Sequence, residues 1–231
     1  MTRPAVIVAH DRPAVRQIVA RVLSREGFDP TPASDAAAAL ALLAQRPWAG
    51  LVLDVALPGV PAFELCDRTR ELRAVGLGSR CIILVASVYR STSYKRLPTR
   101  LYGADDYVEI HHLGDRLPDK LRRALGIEAT SGEMHLDAGE ELRVIGDGRM
   151  DEHGDDELAK IIVADVVLYN GDRILGTTDA ATAARSLAED LTAARELFAS
   201  VSRSRSSAPG DPIGRAFADL MAALGRAGSP P

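Results

Sequence analysis

Two apolar runs in this chain each end in an acid. Leu51-Val52-Leu53 leads into Asp54, and Ala5-Val6-Ile7-Val8-Ala9 leads into His10-Asp11. After Asp54 the chain reaches Pro58-Gly59, which ends the extended run. A buried strand that delivers a carboxylate and then breaks presents it in the crevice at the C-terminal edge of a parallel sheet. Two strand-end acids that meet there can accept a phosphoryl group or hold a cation. His111 and His112 follow a third such run. His112 or His10 could join Asp11 and Asp54 in a site for a softer metal, though a loop histidine usually has solvent or backbone partners. Cys66 and Cys81 have no CxxC neighbour, so they read as two half-buried thiols in a reducing compartment.

Positioning those acids takes alternating strands and helices, and the first ~125 residues carry that pattern. Ala5 to Ala9 reads as the first strand. Asp11 is the expected helix cap and Pro13 an early helix residue. The helix then buries Val15, Ile18, Val19, Val22 and Leu23 and stops at Gly27. Phe28 to Ala33 is the second strand, confined to a sheet edge because Pro30 and Pro32 cannot donate to a ladder. Ser34 or Asp35 caps a helix through Leu40, Leu42 and Leu43, with Trp48 packing at its end. Leu51 to Val55, Cys81 to Val85 and a strand opening at Tyr107-Val108 complete the sheet. Helices are expected over 62–75 and 117–125, and Asp105 and Asp106 cap the turn into the last strand.

The composition shifts after Gly126. Between Glu133 and Glu157 there are ten acids against Arg143 and Arg149, which reads as a solvated linker over 127–157 with a short hairpin around Leu142 to Ile145. The acids lack the spacing of a calcium loop. Leu158, Ile161, Ile162, Asp165, Val166 and Tyr169 then recur at helical steps, and Asn170-Gly171-Asp172 ends that helix. A second helix is expected from Asp179, with Leu187, Leu191, Ala194, Leu197, Phe198 and Val201 as its stripe. Such a hairpin over 158–202 is too small to bury both faces, so it should dock on the first domain or pair with a second copy. Residues 203–231 read as a flexible tail with one short helix at Ile213 to Leu224.

The whole chain has 231 residues, 46% hydrophobic and 26% charged, with a net charge of −4, which suits a soluble protein and gives no overall basic character for nucleic acid. No apolar run approaches the roughly 18 residues of a membrane span, and Met1-Thr2-Arg3-Pro4 is not a signal segment, so a cytoplasmic protein without membrane contact is expected.

The first ~125 residues resemble the receiver domain of two-component response regulators. The landmarks, in order, are Val8-Ala9-His10-Asp11 with Arg16, Leu53-Asp54 with Leu57-Pro58-Gly59, Ile82-Ile83-Leu84-Val85, and Gly103-Ala104-Asp105-Asp106-Tyr107-Val108. The resemblance implies a flavodoxin-like five-stranded parallel sheet of order 2-1-3-4-5, followed here by a small helical module. It implies Asp54 as phospho-acceptor, and Mg²⁺ held by Asp11, Asp54 and the backbone carbonyl of Ala56. His10 stands where such domains carry another acid, which weakens Mg²⁺ binding because imidazole suits softer metals. Ala86, with Ser87 next to it, falls where a hydroxyl is usual, and Ile110-His111 falls where a Lys-Pro pair is usual. Tyr107 keeps the place of the switch aromatic. The segment from Ser87 to Arg100 is basic through Arg90, Lys95, Arg96 and Arg100, with Tyr89, Tyr94 and, just beyond it, Tyr102 interleaved. It reads as a solvated face or as a partner-docking surface, and Pro98 should shorten its helix.

Three functions follow from these residues. The first is an atypical or pseudo-receiver that signals through protein contacts, with the helices dimerising or docking a partner. The second is a phosphorylation-competent regulator served by a histidine kinase, with transcriptional or other output, although no exposed basic recognition helix is evident. The third is a metal-assisted hydrolase at Asp54 and Asp11, which lacks a further acid or base nearby. Under the first two the chain is not an enzyme beyond accepting a phosphoryl group.

Overall fold

The computed structural model describes residues 2–86, 98, 101–127, 154–174, 177, 179–202 and 210–227, which fall into two compact units. The expected partner segment around Ser87, Tyr89, Arg90, Tyr94, Lys95, Arg96 and Arg100 lies outside the described residues. So do most of the acidic linker, the Leu142 to Ile145 hairpin and the tail residues 203–209 and 228–231.

The first unit is a five-stranded parallel sheet: β1 (Ala5–Ala9), β2 (Asp29–Ala33), β3 (Trp48–Asp54), β4 (Ser79–Ala86) and β5 (Asp106–Glu109), in the order β2-β1-β3-β4-β5. The prolines explain the edge. Pro30 and Pro32 stand opposite Val6 and Val8, and only an edge strand can spare their missing N–H groups. The central strands are apolar on both faces because helices cover both. Val6, Ile7 and Val8 on β1 and Leu51, Val52 and Leu53 on β3 are no more than 1% exposed. Each contributes roughly 1.5–3 kcal/mol over leaving it in water, enough together to fix the register that ends β3 on Asp54.

Among the described residues four helices flank the sheet: α1 (Pro13–Arg25), α2 (Ala36–Leu43), α3 (Ala62–Ala74) and α4 (Leu117–Leu125). The expected core face of α1 is the observed one, Val15, Ile18, Val19, Val22 and Leu23. It shares a cluster with Val6, Val8, Val52, Ile83 and Val85 and with Leu117, Leu121 and Leu125 of α4. At Gly50 a Cβ would lie 3.0 Å from Leu121 Cδ2, so glycine lets α4 lie close on β3 without a shift of that side chain. Arg122 of α4 is buried, ion-paired to the Glu26 carboxylate and bonded to its carbonyl at 3.0 Å, which pins α4 to the end of α1. Removing one partner of such a pair leaves a buried charge unpaired.

Two local expectations are corrected. Asp11 does not cap α1; Arg12 holds the cap position with no side-chain bond and Pro13 fills the first turn. The Asp11 carboxylate turns to His10 instead. β3 begins at Trp48, earlier than its apolar run, because the Trp48 indole donates to the Leu42 carbonyl at 2.8 Å and its amide to Gly78. Asp35 does cap α2, accepting from the Ala38 amide at 2.8 Å.

The second unit is helical: α5 (Asp155–Tyr169), α6 (Ala180–Ser186), α7 (Ala188–Val201) and α8 (Pro212–Ala227). α5 starts inside the expected linker because Asp155, Asp156 and Glu157 complement the positive end of the helix. The single helix expected from Asp179 is two, broken at the buried Leu187. The tail helix is a full element. α8 buries Ile213, Ala216, Phe217 and Met221 and packs against α5, α6 and α7. A hairpin expected to need an outside partner is thus, among the described residues, part of a set of four helices with a buried core, and burial alone no longer calls for a second copy. Arg173 pairs with the buried Asp190 at 2.6 Å, and Arg195 beside Asp211 holds that carboxyl below the ordinary carboxylate range while Asp211 accepts from the Gly214 amide. Among the described residues, no helix is long and apolar enough to cross a membrane.

Candidate functional site

β1 and β3 are neighbours, with Ala9 opposite Leu53, so the residues after Ala9 and the last residue of β3 meet at one sheet edge. Asp54 is fully buried and His10 nearly so, while Asp11 is partly open. One ligand atom from each of His10, Asp11 and Asp54 lies within 4.8 Å of the others. The three residues that the sequence singles out at the strand ends thus meet at one edge.

The imidazole of His10 stands between the two acids. Its Nδ1 lies 2.7 Å from Asp11 Oδ1 and its Nε2 lies 3.7 Å from Asp54 Oδ2. Nδ1 also faces the Arg12 amide at 3.2 Å. In that contact the Arg12 amide donates and Nδ1 accepts. Nε2 then points to Asp54, with no hydrogen-bond partner among the described residues. Arg16 donates to the carbonyls of His10 (2.5 Å) and Asp11 (2.6 Å), which fixes the turn that carries both side chains. Asp54 Oδ1 accepts from the Ala56 amide at 3.2 Å. On the far side of the acceptor, Gly59 takes a φ of +111°, where a Cβ would meet Ala36 Cβ at 3.0 Å, so the Pro58-Gly59 turn tolerates no side chain.

Two further expected positions lack polar groups. Ala86 ends β4 fully buried, and Ile110, 3% exposed, opens a short 3-10 turn (Ile110–His112) after β5. Neither offers a hydroxyl or an ammonium. Tyr107 is half-buried, with the Lys120 ammonium 5.5 Å from its ring centre; burial, then the charges of Glu109 and Asp106, pushes its phenol above the ordinary value. Asp105 and Asp106 serve the turn: Asp105 accepts from the Ile82 amide at 2.7 Å, and Asp106 pairs with Lys120 at 2.7 Å.

His10, Asp11 and Asp54 can gather round a cation. A set with one nitrogen and two carboxylates is not the all-oxygen cage that Mg²⁺ favours, and the ring occupies space between the acids. The suggestion that His112 might join them is not met. His112 Nδ1 lies 3.0 Å from Asp115, and His112 groups with Glu109 and His111 instead. Sequence reasoning missed that second group because a 3-10 turn gathers residues outside the periods of helix and strand.

No family model matches the chain. Among curated proteins, the transcriptional regulatory protein AruR of Pseudomonas aeruginosa is 33% identical over 160 residues, covering 64% of this chain and 60% of that protein. The transcriptional regulatory protein TcrA of Mycobacterium tuberculosis is 32% identical over 117 residues (51% and 44%), and the response regulator MprA of Mycobacterium avium is 34% identical over 103 (45% and 42%). The chain thus spans between 42% and 60% of the length of these relatives. Among solved structures, a Francisella response-regulator receiver domain superposes with a TM-score of 0.45 at 21% identity, over 54% of this chain and 98% of that one. The response regulator TrrA of Thermotoga maritima, solved with Mg²⁺ and BeF, gives 0.42 at 25% identity, over 54% and 100%. TrrA has also been solved in complex with the histidine kinase ThkA. The acids stand at the ends of β1 and β3 in this sheet order, and along the matched stretches, which cover between 45% and 64% of the chain, about a third of its residues are identical to those of named response regulators, so the chain is similar to them over that part.

Proposed function

We propose that this chain is a pseudo-receiver, a signalling protein that works through protein contacts rather than through a phosphorylated Asp54. The observation that carries this reading is the His10 imidazole, set 2.7 Å from Asp11 and 3.7 Å from Asp54 where another acid would complete a cation site. Phosphoryl transfer to a carboxylate depends on positioning and on neutralising charge on the phosphoryl oxygens. Ala86 and Ile110 supply neither a hydroxyl nor a cation, and His10 weakens Mg²⁺ binding. Asp54 has kept its place and lost these supports. No turnover of a substrate is proposed, and a cytoplasmic protein partner, a histidine kinase among the candidates, is the expected ligand.

The helical unit is the proposed output side, docking a partner or a second copy. Transcriptional output, which the names of AruR and TcrA carry, is the second reading. The outer face of α7 mixes Glu189, Arg195 and Glu196 rather than presenting a basic row for a DNA groove.

The test is incubation with acetyl phosphate and Mg²⁺, followed by intact mass. The expected result is no added phosphoryl group on the natural chain, with labelling gained in a His10→Asp, Ala86→Thr, Ile110→Lys variant and abolished there by Asp54→Asn. Stoichiometric labelling of the natural chain that Asp54→Asn removes would overturn the pseudo-receiver reading in favour of a working phospho-switch.

A further inference from the structure

The turn after β5 gathers two imidazoles and a carboxylate away from the His10, Asp11 and Asp54 site. Glu109 is the last residue of β5, opposite Ala86 of β4, and the chain then tightens into the 3-10 turn Ile110–His112. Ile110 plugs into the core, which sends His111 and His112 outward together. Their rings lie 4.1 Å apart between centres, tilted by 41°. His111 Nε2 is 3.3 Å from Glu109 Oε2. One ligand atom from each of Glu109, His111 and His112 lies within 4.8 Å of the other two. Asp115, one turn on, reaches His112 Nδ1 at 3.0 Å.

We propose that Glu109, His111 and His112 form a binding site for a borderline transition-metal ion of the Zn²⁺ class, with Asp115 as its supporting carboxylate. Two imidazoles and a carboxylate are the donor set that Zn²⁺ takes at about 2.0–2.2 Å, and they are a poor set for Mg²⁺. The present spacing is close enough that rotation of exposed side-chain ends brings the donors to those distances. A carboxylate on the second nitrogen of a ligating histidine is the usual orienting partner. All four residues are between 24% and 34% exposed, so the ion has a path in and a position left for water or a partner's side chain. The local cations do not occupy the site. Lys120 is held by Asp106, and Arg116 approaches Asp115 at 3.9 Å. The site hangs on the end of β5, on the same edge of the sheet as Asp54 but two strands away, and it does not depend on whether Asp54 is phosphorylated.

The experiment is calorimetric titration of the full chain with Zn²⁺, paired with Co²⁺ absorption as a report on coordination. The two cysteines do not compete: both are buried, and burial pushes their thiols up to about 12. The chain should bind one Zn²⁺ that His111→Ala and His112→Ala each abolish, together with the visible Co²⁺ bands. Asp115→Ala should weaken it by roughly 10–100-fold. His10→Ala should leave that ion in place. Retention of the ion in the His111→Ala, His112→Ala double variant, its loss in His10→Ala alone, or no Zn²⁺ bound by the natural chain would each overturn the site. These surface substitutions leave the core intact, so far-ultraviolet circular dichroism of each variant separates lost binding from lost folding.

Discussion

At the scale of single residues, chemistry was easier to locate than to judge. Asp54 and Asp11 were legible because a strand that ends on an acid places it at a predictable edge. What His10 does was not legible, since its ring could have pointed to solvent; only the bond network of Arg12, Asp11 and Arg16 turns it between the acids. Cys66 and Cys81 were expected to be half-buried, and they are no more than 1% exposed, Cys66 on α3 and Cys81 on β4. That difference has a consequence for pH. Burial favours the neutral thiol and pushes both groups up to about 12, from an ordinary value of 9.0. The folded chain therefore holds protons that the unfolded chain releases. The stability this linkage contributes is complete below pH 9 and is lost as pH rises from there towards 12. Denaturant midpoints should fall progressively over that window, and a Cys66→Ala, Cys81→Ala variant should show a shallower fall. The same burial predicts that neither thiol reacts with a water-soluble disulfide reagent at pH 8 until the chain unfolds; rapid labelling of the native protein would refute it.

Elements were legible where one period ran without interruption. α1 and α4 carry the core faces that their spacing announces, and β2 lies at the edge that its prolines demand. Legibility failed where a stripe continued through a break. Leu187, Leu191 and Ala194 keep helical spacing, yet the backbone at Leu187 leaves the helix (φ −106°, ψ 22°) and α7 begins afresh. It failed again at α8, where a short sequence pattern hid a central role, because the face that α8 covers belongs to α5, far away in the chain. The test of that role is Phe217, 2% exposed on α8. Phe217→Ala removes a ring from a helix that touches the three others, and a buried Phe→Ala change costs about 3–5 kcal/mol. Loss of helical signal at lower denaturant in the full-length variant is the expected outcome. A change of less than about 1 kcal/mol would mean that α8 is only an appendage, as the sequence alone had it.

For the whole molecule, the decisive fact is that the described residues form two units, each with its own buried core. The first closes on itself: the Arg122–Glu26 pair joins its last helix to its first, and the Ile127 amide returns to the Arg122 carbonyl at 2.9 Å. A domain of about 100–150 residues with a complete core folds alone in most cases. The chain's single tryptophan, Trp48, lies 3% exposed at the start of β3, so its fluorescence reports on this unit alone. A fragment ending at residue 127 should show the same blue-shifted Trp48 emission as the full chain and unfold in one cooperative step, with its midpoint near that of the Trp48 transition in the full chain. If the emission shifts red or the transition broadens, the sheet draws stability from the helical unit, and the two units then act as one thermodynamic body. If the midpoints agree, the two units are energetically separate, and a signal received at the first must reach the second through a partner or through the chain that joins them rather than through shared packing.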